Sequence, residues 1–169
     1  WLTSMEYPHV YYVDAKPKVT DVRIFADDAD HPNGWGTILI GGMRLGGEEI
    51  TLVDDFNGDG TVDAPRTFRS AYAVLDITNP SNPSLLGEIT DPDMGLTVSY
   101  PAVARLEASY GLDSPENDKW FTVMGSGPFD CDGTSSQRGR IFVYHMELDN
   151  GTLDMDSAGL LQTILTGEN

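Results

Sequence analysis

The residues best placed by type and spacing to do chemistry lie in one run, Asp55-Phe56-Asn57-Gly58-Asp59-Gly60-Thr61-Val62-Asp63. Oxygen donors fall at alternate positions: the side chains of Asp55, Asn57 and Asp59, the backbone carbonyl of Thr61, then the Asp63 carboxylate. Calcium is a hard cation that takes about six to eight oxygens, and alternate spacing on a coiled loop turns successive donors toward one centre. Gly60 stands where such a loop turns most sharply, and it has no Cβ to resist the turn. Arg66 stands where an EF-hand carries its bidentate Glu, and no helical pattern flanks the loop. The pattern predicts a short calcium loop set between strands, with Asp55, Asn57, Asp59, Thr61 and Asp63 as ligands. The same residues also read as a solvated turn, because Asn, Asp and Gly favour turns on their own account.

Other candidate groups lack companions. His145 falls in a predicted strand with no catalytic motif beside it, which reads as a packed histidine. His31 closes the acidic loop Asp27-Asp28-Ala29-Asp30-His31, whose irregular spacing suits solvation better than a metal. His9 stands alone near the start. Cys131 is the single cysteine, so the chain forms no internal disulfide, and its neighbours Asp130 and Asp132 disfavour a thiolate. Gly125-Ser126-Gly127 lacks the full nucleophile elbow. Gly41-Gly42 and Gly46-Gly47 precede no helix, so they read as tight turns and not as a phosphate cradle. Trp35 and Trp120 read as equivalent core positions of a repeat, with a stacking face for quinone or sugar as the lesser reading. The expectation is a protein that is not an enzyme.

Composition narrows the class further. With 169 residues and 40% apolar composition, the chain can bury a real core. Its 27 acidic and 10 basic residues leave a net charge of −17. Nucleic acid and anionic membrane surfaces both demand basic clusters, which are absent here. No apolar run is long enough to span a membrane. Acidic clusters recur at Asp54-Asp55, Asp91-Pro92-Asp93, Asp130-Cys131-Asp132 and Asp154-Met155-Asp156. They suit turns and solubility, or a setting rich in calcium outside the cytoplasm.

Short β-rich runs between Gly, Pro, Asp and Asn turns must position these residues. A first run covers His9 to Val13. Lys18 to Phe25 alternates, with Val19, Val22 and Ile24 expected in the core. Trp35 to Ile40 is continuously apolar, as in a strand buried on both faces. Ala71 to Ile77 and Leu85 to Ile89 follow. The order then repeats. Pro17–Val22 is echoed by Pro101–Leu106, Trp35–Leu39 by Trp120–Met124, Ala71–Val74 by Ile141–Tyr144, and Leu85–Ile89 by Leu160–Ile164. Four strand-like segments recurring in order predict two four-stranded antiparallel blades of an all-β, partial β-propeller. The first blade-like repeat spans about 14–90 and the second about 96–166, within one domain. Insertions at 46–69, 108–118 and 126–138 lengthen them beyond an ordinary blade. A ring needs about four to eight blades. With Trp1 opening abruptly, the expectation is a fragment of a longer propeller, a self-contained β-sandwich being the rival.

The motifs also carry a resemblance. Trp35-Gly36-Thr37-Ile38-Leu39-Ile40-Gly41-Gly42, then Tyr72-Ala73-Val74-Leu75-Asp76-Ile77-Thr78-Asn79-Pro80, then Pro101–Arg105 with Trp120 and Gly125-Ser126-Gly127, resemble the carboxy-terminal domain of the PilY family of type IV pilus biogenesis and tip-adhesin proteins. The resemblance covers most of residues 7–148. It implies a modified β-propeller, export to the outer cell surface or the pilus, and calcium-linked pilus extension and retraction, twitching motility and attachment. The family's loop form D-x-[DN]-x-D-x-x-x-D is matched by Asp55, Asn57, Asp59 and Asp63. Implied partners are pilins or minor pilins, the rest of its own propeller, and a host or surface ligand. A quinoprotein-like enzyme propeller or a generic extracellular calcium-binding interaction propeller are the alternatives.

Overall fold

The computed structural model describes residues 12–107, 111, 117–130, 132–133, 135–153 and 160–166. Twelve strands run through them: β1 (Lys18–Arg23), β2 (Trp35–Gly42), β3 (Ile50–Leu52), β4 (Arg66–Phe68), β5 (Tyr72–Asp76), β6 (Ser84–Ile89), β7 (Ala102–Glu107), β8 (Asp118–Gly125), β9 (Arg140–His145), β10 (Leu148–Asp149), β11 (Thr152–Leu153) and β12 (Leu160–Leu165). They form two four-stranded antiparallel sheets, β1-β2-β5-β6 and β7-β8-β9-β12, and two small hairpins, β3-β4 and β10-β11. Each large sheet is a meander of four strands in chain order. This is an all-β, partial β-propeller arrangement, and among the described residues the sheets close into no barrel.

The sheets match strand for strand down to an irregularity. In both, the pairing of the third strand with the fourth shifts register, between Val74 and Leu75 on β5 and between Leu160 and Gln162 on β12. The extra residue in β6, Leu86, is turned into the core and is 3% exposed. Rung for rung the two tryptophans do not correspond. Trp35 lies ahead of the first β2–β5 rung at Ile38 and is exposed, whereas Trp120 sits next to the first β8–β9 rung at Phe121 and is buried. Instead of marking one repeat position, the two rings touch edge to face, with centroids 5.9 Å apart.

One hydrophobic core joins both sheets. Val22, Ile38, Ile40, Tyr72 and Val74 enter it from the first, and Trp120, Met124, Phe142 and Tyr144 from the second. Burial holds the phenols of Tyr72 and Tyr144 in their neutral form, pushing each pKa up to about 12; the negative charge of Asp91 adds to the rise at Tyr144. Three sequence expectations are corrected here. Val19 is half exposed, because only the far end of β1, at Val22, reaches the core. β2 is not buried on both faces: Ile38 and Ile40 are sealed in, while Thr37 and Leu39 on the other face are half-buried. Gly41 and Gly42 are strand residues too, paired with Ala73 and Tyr72. A Cβ at Gly42 would lie 2.9 Å from the Tyr72 ring, so glycine admits that ring. Gly46 and Gly47 do lie in a short 3₁₀ turn, Arg44–Gly47.

An ion cluster pins the sheets together at one end. The Asp118 side chain on β8 is fully buried. Its Oδ1 accepts from Arg105 Nε at 2.9 Å and Nη2 at 2.6 Å, and its Oδ2 faces Arg23 Nη1, from the other sheet, at 3.6 Å. Both arginines sit opposite a tryptophan, Arg23 across from Trp35 and Arg105 across from Trp120. Nearby, β10 and β11 form a two-residue hairpin. Asn150 (φ 50°) and Gly151 (φ 83°) supply the left-handed conformations that such a turn requires. His9, Cys131 and Asp154–Asp156 lie outside the described residues, as do most of the 108–118 insertion and the first run up to residue 11.

Candidate metal centre

The β3–β4 hairpin leads the chain away from the first sheet and back. Its rungs are Ile50↔Phe68, Thr51↔Thr67 and Leu52↔Arg66, and all six residues are exposed. Beyond them the Phe56 ring lies under the Arg66 guanidinium, 4.4 Å from it, and edge-on to Phe68 at 6.2 Å. The Asp63 N–H donates to the Asp54 carbonyl at 3.0 Å and closes the base of the loop. Gly58 and Gly60 take φ of 75° and 87°, with open space where a Cβ would stand.

Within this frame the five sequence-predicted ligands hold the loop in shape. Asp55 Oδ1 accepts the N–H of Gly58 at 2.7 Å and of Asp59 at 3.1 Å, and its Oδ2 accepts that of Gly60 at 2.6 Å. Asn57 Oδ1 accepts the Asp59 N–H at 2.9 Å, while Asn57 Nδ2 donates to Asp59 Oδ2 at 3.1 Å. Asp59 Oδ1 takes the Thr61 N–H at 2.8 Å and the Thr61 hydroxyl as well. Asp63 Oδ2 accepts the Phe56 N–H at 2.9 Å, and Arg66 Nη2 stands 3.9 Å from it. Hydrogen bonding keeps two of these carboxyls below the usual range, Asp55 chiefly through the Gly60 N–H and Asp59 chiefly through the Thr61 hydroxyl. Both therefore carry full charge at neutral pH.

The donor chemistry fits a hard cation. Each carboxylate oxygen has two lone pairs, and those holding one N–H keep one free. The geometry is not that of a closed cage: among the described residues no three His, Cys, Asp or Glu side chains converge on one point. Asp55, Asn57, Asp59 and Thr61 form one linked network, and Asp63 bonds apart from it at the base.

The acidic loop, which the sequence reads as solvated, holds a partly buried latch. His31 Nδ1 lies 3.1 Å from Asp28 Oδ1, and Nε2 lies 2.9 Å from Asp76 Oδ2 on β5. The imidazole stacks on Phe25 at 4.1 Å. No local motif announces that contact, since Asp76 lies far along the chain. The Arg23–Asp118–Arg105 cluster is silent in the sequence for the same reason.

The chain is 32% identical over 158 residues to the type IV pilus biogenesis factor PilY1 of Pseudomonas aeruginosa strain UCBPP-PA14, which is 90% of the chain. The chain belongs to the PilY family. It is also 32% identical over 122 residues, 70% of its length, to PilY1 of Pseudomonas aeruginosa strain PAO1. A PilY1 homolog of Xylella fastidiosa is 25% identical over 153 residues, 90% of the chain. The chain spans only 7%, 8% and 10% of the length of these curated PilY relatives. No protein-family model and no solved structure matches it. The relatives are named as pilus biogenesis factors and not as enzymes, and no described helix is long and apolar enough to cross a membrane.

Proposed function

We propose that this chain is a non-catalytic, calcium-binding propeller module of a type IV pilus biogenesis protein, carried at the cell surface or on the pilus. The observation that carries the calcium part is the run of oxygen donors at alternate positions, Asp55, Asn57, Asp59, the Thr61 carbonyl and Asp63, at the tip of an exposed hairpin. The similarity to PilY1 carries the pilus part. Mutual repulsion of Asp55, Asp59 and Asp63 opposes closing the loop around one centre, and a divalent cation would remove it. Ordering of the 46–69 excursion would then present its exposed apolar residues, Ile50, Leu52 and Phe68, in one arrangement to pilins or minor pilins. Pilus assembly, extension and retraction, twitching motility and attachment are the processes such a switch would serve.

The test is a calorimetric calcium titration of chelator-treated protein, wild type against Asp59→Ala. Binding at one site, lost in the variant, supports the loop as the metal centre. Unchanged binding in the variant removes the loop from that role. In cells, the same substitution in the parent protein is expected to abolish the calcium dependence of piliation, and a calcium response equal to wild type would sink the switch.

A further inference from the structure

Three Asn-Gly pairs occur in the chain: Asn33-Gly34, Asn57-Gly58 and Asn150-Gly151. Such pairs are open to self-deamidation, because a following glycine offers no side chain to block attack of its own amide nitrogen on the asparagine Cγ. The surroundings of the three differ in ways that bear on that reaction.

At Asn57-Gly58 the nucleophile and the electrophile each have a partner of the right kind. The nucleophile's proton, on Gly58 N, points at a carboxylate, Asp55 Oδ1, at 2.7 Å. The electrophile's oxygen, Asn57 Oδ1, accepts a backbone N–H from Asp59 at 2.9 Å. Negative charge develops on that oxygen, and a fixed donor there stabilises it as an oxyanion hole does. The departing nitrogen, Asn57 Nδ2, donates to Asp59 Oδ2 at 3.1 Å, which orients the amide, and it leaves only once it has taken up a proton. Asn57 and Gly58 are both exposed, so water reaches the product. Asn33-Gly34 lacks this set. The Gly34 N–H donates to the His31 carbonyl at 2.9 Å, a far weaker base than a carboxylate, and Gly34 is buried with the Phe25 carbonyl crowding it. Asn150-Gly151 is exposed, but its one side-chain bond runs from Asn150 Nδ2 to Asp149 Oδ1 at 2.9 Å, with no carboxylate on the Gly151 N–H among the described residues.

We propose that Asn57-Gly58 is a self-modifying site that deamidates ahead of the other two pairs, with Asp55 as the base. Asp55 takes the Gly58 amide proton as the nitrogen bonds to Asn57 Cγ. The C–Nδ2 bond then breaks, and ammonia leaves carrying the proton that Asp55 held. Water opens the resulting succinimide at either carbonyl, to aspartate or isoaspartate, so the net change is amide plus water to acid plus ammonia. The consequence rests on the calcium reading above. Aspartate at 57 adds a carboxylate to the donor set, whereas isoaspartate adds a backbone carbon and spoils the alternate spacing.

The test is peptide mapping by mass spectrometry of the full chain, aged at mildly alkaline pH in chelator or in calcium. In chelator, acid is expected at 57 before 150, and at 150 before 33. Asp55→Asn is expected to slow conversion at 57 by about tenfold, short of the roughly 10²-fold or more of a well-placed enzymatic base. Equal or faster conversion at 150 overturns the proposal, as does an intact Asn57 after 150 has converted, or an Asp55→Asn rate equal to wild type. Calcium is expected to protect Asn57 by occupying Asp55. If 57 leads in chelator and calcium gives no protection, the modification site stands and the calcium reading is what fails.

Discussion

The first sheet and the excursion that interrupts it are built on opposite terms. In the sheet, β2 and β5 bring Ile38, Ile40, Tyr72 and Val74 to 0% exposure. Their ladders are secured by what lies beneath them. In the excursion, every residue of β3 and β4 is exposed, and the loop is held by carboxylates folded onto its own backbone amides. Burial of apolar area dominates stability, while an exposed hydrogen bond exchanges for water at little net gain. The sheets therefore carry the fold, and the excursion is free to carry the chemistry. Strong substitutions in one region should leave the other's readout nearly untouched.

The largest expected effect is in the shared core. Phe142→Ala removes a fully buried ring from the second sheet. It should cost about 3–5 kcal/mol in a denaturant melt, and a cost within 1 kcal/mol of zero would mean that the core does not join the sheets. Next comes the ion cluster. Asp118→Ala takes the shared anion from Arg23 and Arg105, of which Arg105 keeps Glu107 at 3.5 Å. Breaking a buried pair costs about 3–5 kcal/mol. Arg105 is 31% exposed, so water screens part of that, and about 3 kcal/mol is expected. Replacing Asp118 by Asn, which keeps the shape and loses the charge, should recover only a fraction of it. Neither change should alter the proposed calcium binding by the hairpin loop.

The same contrast explains what was legible in the sequence. Alternation and the internal repeat mark all eight strands of the large sheets: the inner strands β2, β5, β8 and β9 alternate to reach the core, while β7, exposed along most of its length, is legible through its echo of β1. The short strands β3, β4, β10 and β11 left no such mark. They bury little, so composition does not constrain them. Val19 misled because alternation shows which residues share a face and not how far along the strand the core extends. The tryptophans misled because the repeat holds for strands and bulges and fails for individual rungs. The donor spacing of the proposed calcium loop is readable as a pattern, because all its donors are local. The His31 latch and the Asp118 cluster join residues distant in the chain, and one sequence carries no trace of such pairings.

A smaller effect tests the latch, which lies between the two regimes. Asp76 on β5 is partly buried, which raises its pKa, but hydrogen bonds from Thr78 and His31 outweigh this and leave it lowered. Asp28 is lowered as well, chiefly by the His31 N–H. A carboxyl whose folded pKa is depressed stabilises the fold above the ordinary value of about 3.9 and loses that contribution as pH falls through the folded value. Asp76→Asn should cost about 1–2 kcal/mol at neutral pH, from weakened bonds to His31 and Thr78. That cost should shrink as pH drops below about 4, where the wild-type carboxylates also take up protons. A cost that stays constant down to pH 3 would show that packing of His31 on Phe25, and not charge, closes the latch.

The smallest effect is the most diagnostic, because it is expected to be nearly nil. Asp59→Ala removes three hydrogen bonds at once: those to Asn57 Nδ2, to the Thr61 N–H and to the Thr61 hydroxyl. In a buried network that loss would be severe. Here the partners are exposed and turn to water, so the metal-free protein should melt within about 0.5 kcal/mol of wild type. Added calcium separates the two proteins again. A ligand that binds only the folded state stabilises by RT ln(1 + [L]/Kd), about 2.7 kcal/mol at a hundredfold excess over Kd. Wild type should show that gain and Asp59→Ala should not. A large loss in the variant without calcium would instead mean that the excursion is part of the fold's foundation, and the division between sheets that hold and a loop that responds would have to be abandoned.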